Sequence, residues 1–170
     1  MHTLRRILDA VVGTACCIVL AAMVAVLAWQ VFSRYALNAP STFSEEFLRF
    51  GVIWMSLLGA AYSAGKGTHM AIDLVPEMTS GRLRMILKAL VPISFMIFAV
   101  LVLIIGGMRG VNIAVGQHSP VLRVPMGLVY ASLPVSGGFI LVYSILNLVE
   151  ILFGKRDFPD QVEKIAATGD

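Results

Sequence analysis

The chain has 170 residues, 58% of them hydrophobic and 14% charged, with a formal net charge of +3. Soluble domains carry about 25% charged residues, so this composition excludes an ordinary soluble domain and gives no basis for a nucleic-acid partner. Apolar runs long enough to cross a bilayer identify an all-α integral membrane protein, a single domain over residues 1–170 with four transmembrane helices and no room for a separate soluble unit.

The first span is expected over about residues 7–35, with no charge between Asp9 and Arg34. Arg5 and Arg6 ahead of an apolar run suggest a signal peptide, but the run far exceeds the roughly 7–15 residues of a signal core, which favours a retained helix. Adjacent Cys16 and Cys17 read as small hydrophobes among hydrocarbon rather than a disulfide or a metal pair. Trp29, Tyr35 and Trp54 are candidate interfacial aromatics. Pro40 ends the first helix, and Thr42-Phe43-Ser44-Glu45 fits a capping box that opens the second span, expected over about residues 43–65.

This second start carries Glu45 and Glu46, where the positive end of the helix dipole favours anions. Arg49 follows at i+4 and i+3, and Arg34 lies just across the turn. Arg34, Glu45, Glu46 and Arg49 are therefore expected to form a compact cluster that fixes the helical hairpin and touches a partner or lipid. Charges beside lipid are costly and mark a protein contact, a headgroup contact or a transport path.

Gly65 and Gly67 end the second span, and His69 and Asp73 are candidates for fixing the loop that follows. Residues 80–90 place Leu83, Ile86, Leu87 and Leu90 on one stripe among Arg82, Arg84 and Lys88. That pattern suits either a short interfacial helix or the first turns of the third span, expected over about residues 89–110. The fourth span is expected over about residues 125–153, with Pro134 kinking it and Gly137-Gly138 giving a small-residue packing surface. Nine basic residues (Arg5, Arg6, Lys66, Arg82, Arg84, Lys88, Lys155, Arg156, Lys164) fall on the side of the termini and four (Arg34, Arg49, Arg109, Arg123) on the other. This bias predicts cytoplasmic termini.

Catalytic and cofactor chemistry finds little support. Gly65-Lys66-Gly67-Thr68 lacks the spacing of a phosphate loop, and the three histidines and two cysteines make neither a metal set nor a haem pair within spans. No enzyme activity, metal or cofactor is expected. No charge lies at the middle of any span, which poorly equips so small a chain to carry a polar solute alone. Two other classes remain: a self-sufficient small proton-coupled multidrug exporter acting as a homodimer through Glu45 or Glu46, and a membrane anchor for a redox enzyme.

The succession Phe32-x-Arg34-Tyr35, Ser44-Glu45-Glu46-x-x-Arg49, Trp54 and Gly67-x-His69-x-x-x-Asp73 resembles the small membrane (Q-type) subunit of tripartite ATP-independent periplasmic (TRAP) transporters. Residues 119–126, with Tyr130 and Pro134, resemble that family's lead into its last helix, with Arg123 standing where a small or apolar residue is more usual. The resemblance implies a bacterial inner-membrane subunit that scaffolds a large TRAP membrane subunit. That larger subunit takes up an organic acid with sodium, delivered by a periplasmic substrate-binding protein.

Overall fold

The computed structural model describes residues 2–66 and 82–152, and the regular elements among them are helical. They are α1 (His2–Tyr35), α2 (Thr42–Lys66), α3 (Arg82–Phe98), a π-helical stretch (Ala99–Gly106), α4 (Gly107–Ala114), α5 (Met126–Tyr130) and α6 (Ser132–Leu152). Four runs are long and apolar enough to cross a membrane: Thr3–Tyr35, Thr42–Lys66, Ala89–Ala114 and Met126–Ile151. The chain is thus an all-α, four-span membrane protein. Of the two readings of residues 80–90, the described part from Arg82 runs unbroken into the third span as its first turns, so no separate interfacial helix appears among the described residues. His69 and Asp73 lie outside the described residues.

Local chemistry sets the helix ends. α1 stops where Asn38 takes a left-handed φ of 53°, a conformation Asn tolerates better than most residues. The Ser33 hydroxyl donates to the Ala39 carbonyl, and the Ala39 N–H returns a bond to the Ser33 carbonyl at 3.1 Å. The start of α2 differs from the expected box by one residue. Thr42 is already helical, so Ser41 stands at the cap, and its hydroxyl pairs with that of fully buried Ser44 at 2.7 Å. The expected kink in the fourth span is a break at Ala131 between α5 and α6. Pro134 has no N–H to return to the carbonyl one turn back, and it sits in the first turn of α6, where that loss is tolerated.

The spans pack in the order one, two, four, three: α1 lies along α2, α2 along α6, and α6 along α3 and the π-helical stretch. Ala61, Ala64, Ala99, Leu103 and Ile140 form the buried core, with Leu57, Phe95 and Leu133 packed on it. Without a hydrophobic drive between helices in lipid, small residues that let backbones approach are the means of association. A Cβ on Gly65 would stand 2.5 Å from the Tyr143 ring, one on Gly107 2.8 Å from Leu133, and one on Gly137 2.7 Å from Leu103. Gly138, its chain neighbour, faces open space, so the two glycines of the expected packing surface have different roles. Only 6% of the first span's central window is buried by the rest of the chain, against 39% of the fourth's, which leaves α1 the most lipid- or partner-facing helix. Cys17 lies on that open surface and Cys16 is half-buried.

Adjacent glycines allow a paired test. Gly137→Leu forces overpacking against Leu103, typically worth about 1–3 kcal/mol, and is expected to lower the unfolding temperature in detergent. Gly138→Leu is expected to leave it nearly unchanged. Equal effects at the two positions would contradict this packing.

Candidate functional site

At the end of the bundle that carries the α1–α2 turn, the loop of residues 115–125 folds back on itself. Ser119 N–H donates to the Val124 carbonyl at 3.0 Å, Met126 N–H to the Gln117 carbonyl at 2.9 Å, and His118 and Pro125 form an isolated antiparallel bridge. The tip turns through Arg123, which holds a left-handed φ of 52°. That geometry leaves two tip amides pointing inward, at Val121 and Leu122. The Glu46 carboxylate takes both, at 3.2 and 2.6 Å, and is itself only 8% exposed. Glu46 thus joins the first turns of α2 to a loop about 75 residues further on, as a nearly buried carboxylate accepting charge-assisted bonds.

The expected ion-paired cluster takes a different form. Among the described residues no ion pair within 4 Å joins any two of Arg34, Glu45, Glu46 and Arg49. Arg34, Glu45 and Arg49 are exposed, and Glu46 turns away from them to the loop amides. Ser33 and Asn38 close the turn of the helical hairpin. Glu46 and Arg49 do share a groove of about 320 Å³ between α2 and the α5–α6 arm, floored by Phe50, Ile53, Met126 and Leu133. Trp29 stacks obliquely on Phe32 with ring centroids 6.1 Å apart, and both they and Tyr35 are exposed near the end of α1, as interfacial aromatics would be. Trp54 stands midway along the 25-residue α2. It is about 18 Å from the helix start at 1.5 Å per residue, and it lines an apolar groove against α1 with Met23 and Leu122.

The opposite end holds a second polar network that the charge pattern alone did not single out. Arg5 pairs with Glu150 at 2.7 Å and also donates to the Gly65 carbonyl. Asp9 accepts from Lys66 at 3.0 Å and from the Tyr143 hydroxyl at 2.9 Å, and Asn147 donates to the Ala64 carbonyl at 3.1 Å. Lys66 also lies over the Tyr62 ring, 5.2 Å from its centroid. The network ties the start of α1 to the ends of α2 and α6, adding α6 to a helix whose main neighbour among the described elements is α2. Arg5, Asp9, Lys66 and Glu150 each stand at an edge of a charge-free run, which was the available signal. Their pairing needed the helices to be assembled.

Between the two ends, two buried serines of the fourth span bond to backbone carbonyls three residues back. Ser132 donates to the Val129 carbonyl at 2.6 Å and Ser136 to the Leu133 carbonyl at 3.0 Å. Among the described residues no group of three or more His, Cys, Asp or Glu side chains is placed to hold a metal ion.

A family profile described as "Tripartite ATP-independent periplasmic transporters, DctQ component" matches residues 23–154. The chain belongs to this TRAP family. It is 30% identical over 161 residues, covering 91% of this chain and 90% of the relative, to the sialic acid TRAP transporter small permease protein SiaQ of Vibrio cholerae. It is 23% identical to a putative TRAP transporter small permease protein of Haemophilus influenzae, over 90% of this chain and 94% of that one. The matched region of the TRAP family spans the whole groove end, from the close of α1 through the Glu46-held loop, and all of α6.

Two substitutions probe the two ends. Glu46→Ala leaves the Val121 and Leu122 amides unpaired, and their hydrogen exchange is expected to speed up by about tenfold or more, since bonds to a charged group are worth about 1.5–3 kcal/mol; unchanged exchange would exclude Glu46 as the loop's anchor. At the other end, Asp9→Ala strands the Tyr143 hydroxyl and should lower the unfolding temperature more than Tyr143→Phe, which removes donor and demand together. Lys66→Met should do least, because the lysine side chain is 42% exposed and its pair is water-screened.

Proposed function

We propose that this chain is a non-enzymatic scaffold of a secondary active TRAP transporter. In this reading it braces a large membrane subunit while that subunit takes up an organic acid with sodium. A periplasmic substrate-binding protein delivers the solute, and both termini of this chain lie in the cytoplasm. One observation carries the scaffold reading: the described spans have charged groups at their ends and none between, and the buried hydroxyls of Ser132 and Ser136 already bond to backbone carbonyls. A chain without a charged group at mid-depth is poorly equipped to carry a polar solute alone. Its scarcely buried first span leaves a long apolar surface for a larger partner.

Membership of the TRAP family supports the transporter part of the reading, and the Vibrio cholerae relative's name, with its sialic acid, supports an organic acid as the solute class. Arg34, Glu45 and Arg49 are, in this proposal, the exposed charges through which the hairpin end meets partner or lipid. Glu46 serves behind them by holding the loop that completes that face. His69 and Asp73 keep the role of fixing the loop after α2.

The test is a mild-detergent pull-down of this chain from its native membrane, with the co-purifying proteins identified. The expected result is a large many-span membrane protein in about equal amount, depleted several-fold when α1 carries a bulky substitution on its exposed face, such as Ala21→Trp. Recovery of this chain alone as a homodimer, together with drug efflux from cells that make it alone, would overturn the scaffold reading in favour of a small exporter.

A further inference from the structure

The groove at the hairpin end has a particular charge arrangement at its mouth. Glu46 and Arg49 are three residues apart on α2, a spacing at which opposite charges ordinarily meet. Here they do not, because the Glu46 carboxylate is drawn to the loop amides through Oε2. A carboxylate and a guanidinium are thereby held apart at the rim of a cavity whose floor is apolar. The depth order also follows the bilayer: Glu46 and Arg49 stand in the first two turns of α2, and Ile53 lies about 6 Å deeper at 1.5 Å per residue. The groove's polar end is thus at headgroup level and its apolar end points into the hydrocarbon.

This arrangement is the electrostatic complement of a zwitterionic headgroup. We propose that the groove seats an aminophospholipid, with its phosphate on the Arg49 guanidinium and its primary ammonium on Glu46 Oε1, the oxygen the loop amides leave unused. A guanidinium matches a phosphate by geometry as well as charge. An ammonium supplies N–H donors that a trimethylated choline lacks, and a lipid with no amine leaves the carboxylate facing its phosphate. At about 320 Å³ the cavity is at the small end of ligand pockets, so it takes the headgroup and the upper part of one acyl chain rather than a whole lipid. The neighbouring groove beside Trp54 carries no charged lining residue and so does not distinguish a lipid from a helix. The site narrows the proposed contact of Arg49 from partner or lipid to lipid, and it rests on the groove's geometry, so its failure leaves the scaffold role standing.

The experiment is native mass spectrometry of the full chain, with whatever membrane partner co-purifies, after incubation with equal amounts of dioleoyl phosphatidylethanolamine, phosphatidylglycerol and phosphatidylcholine. Retention of the ethanolamine lipid is expected to exceed the other two by about tenfold, the effect of one charge-assisted contact. Arg49→Gln removes the phosphate contact that all three lipids share and should lower retention of the ethanolamine lipid several-fold while leaving it ahead of the choline lipid; Ile53→Trp fills the floor while keeping both charges and should bring all three lipids to one low level. Glu46 is left in place because it holds the loop. Circular dichroism checks that each variant keeps its helices; if one does not, the other and the discrimination by the unmutated protein decide. Equal retention of the three lipids by the unmutated protein, preference for phosphatidylglycerol, undiminished retention in folded Arg49→Gln, or discrimination that survives in folded Ile53→Trp would overturn the proposal.

Discussion

The seating of the fourth span between the second and third depends on glycines that leave no room for a side chain. Tyr143 of α6 lies flat against Gly65, Leu103 of the π-helical stretch against Gly137, and Leu133 and Pro134 against Gly107. Hydrocarbon surrounds the bundle, so apolar burial gives little net reason for helices to associate, and close contact over small residues must supply it. Once α6 is placed in this way, its Tyr143 hydroxyl reaches Asp9, and Glu150 at its far end meets Arg5. The terminal network follows from the glycine contacts and then ties in α1, which has few other partners.

At the other end the organising group is a single carboxylate. Lipid cannot satisfy a backbone amide, so a loop that dips toward the bundle needs its tip N–H groups paired from within the protein. Glu46 does this for Val121 and Leu122, which also holds Arg123 in a left-handed conformation that a lone arginine would avoid. The same commitment separates Glu46 from Arg49. A structural bond in one direction therefore leaves a divided pair of charges in the other, and that division gives the groove its chemical character.

The distribution of polar groups links fold to function. Among the described residues every charge is near one end of a span or the other, and the buried Ser132 and Ser136 hydroxyls are already engaged by backbone carbonyls. Such a bundle is suited to standing in a membrane and presenting surfaces. The sparsely covered α1 and the charged hairpin end are those surfaces, one apolar and one polar. A transport path for a charged solute in the same chain would call for charged groups at mid-depth, and the described spans carry none there.

Hydropathy, charge placement and ordered motifs were enough to read the four spans, their all-helical class and the resemblance to the TRAP small subunit, because these are properties of local runs; the kink expected at Pro134 falls as a break three residues earlier, at Ala131. Glu46 was also marked as important from its position at a helix start. The identity of its partner was not legible: the two amides it holds lie some 75 residues away, and local spacing favoured Arg49 instead. In the same way Asp9, Tyr143 and Glu150 carried no pattern that paired them, and Gly137 looked no different from Gly138. Periodicity determines which residues can share a helix face. Which face meets which neighbour is decided only when the helices pack, since that choice rests on shape over distances the sequence does not encode locally.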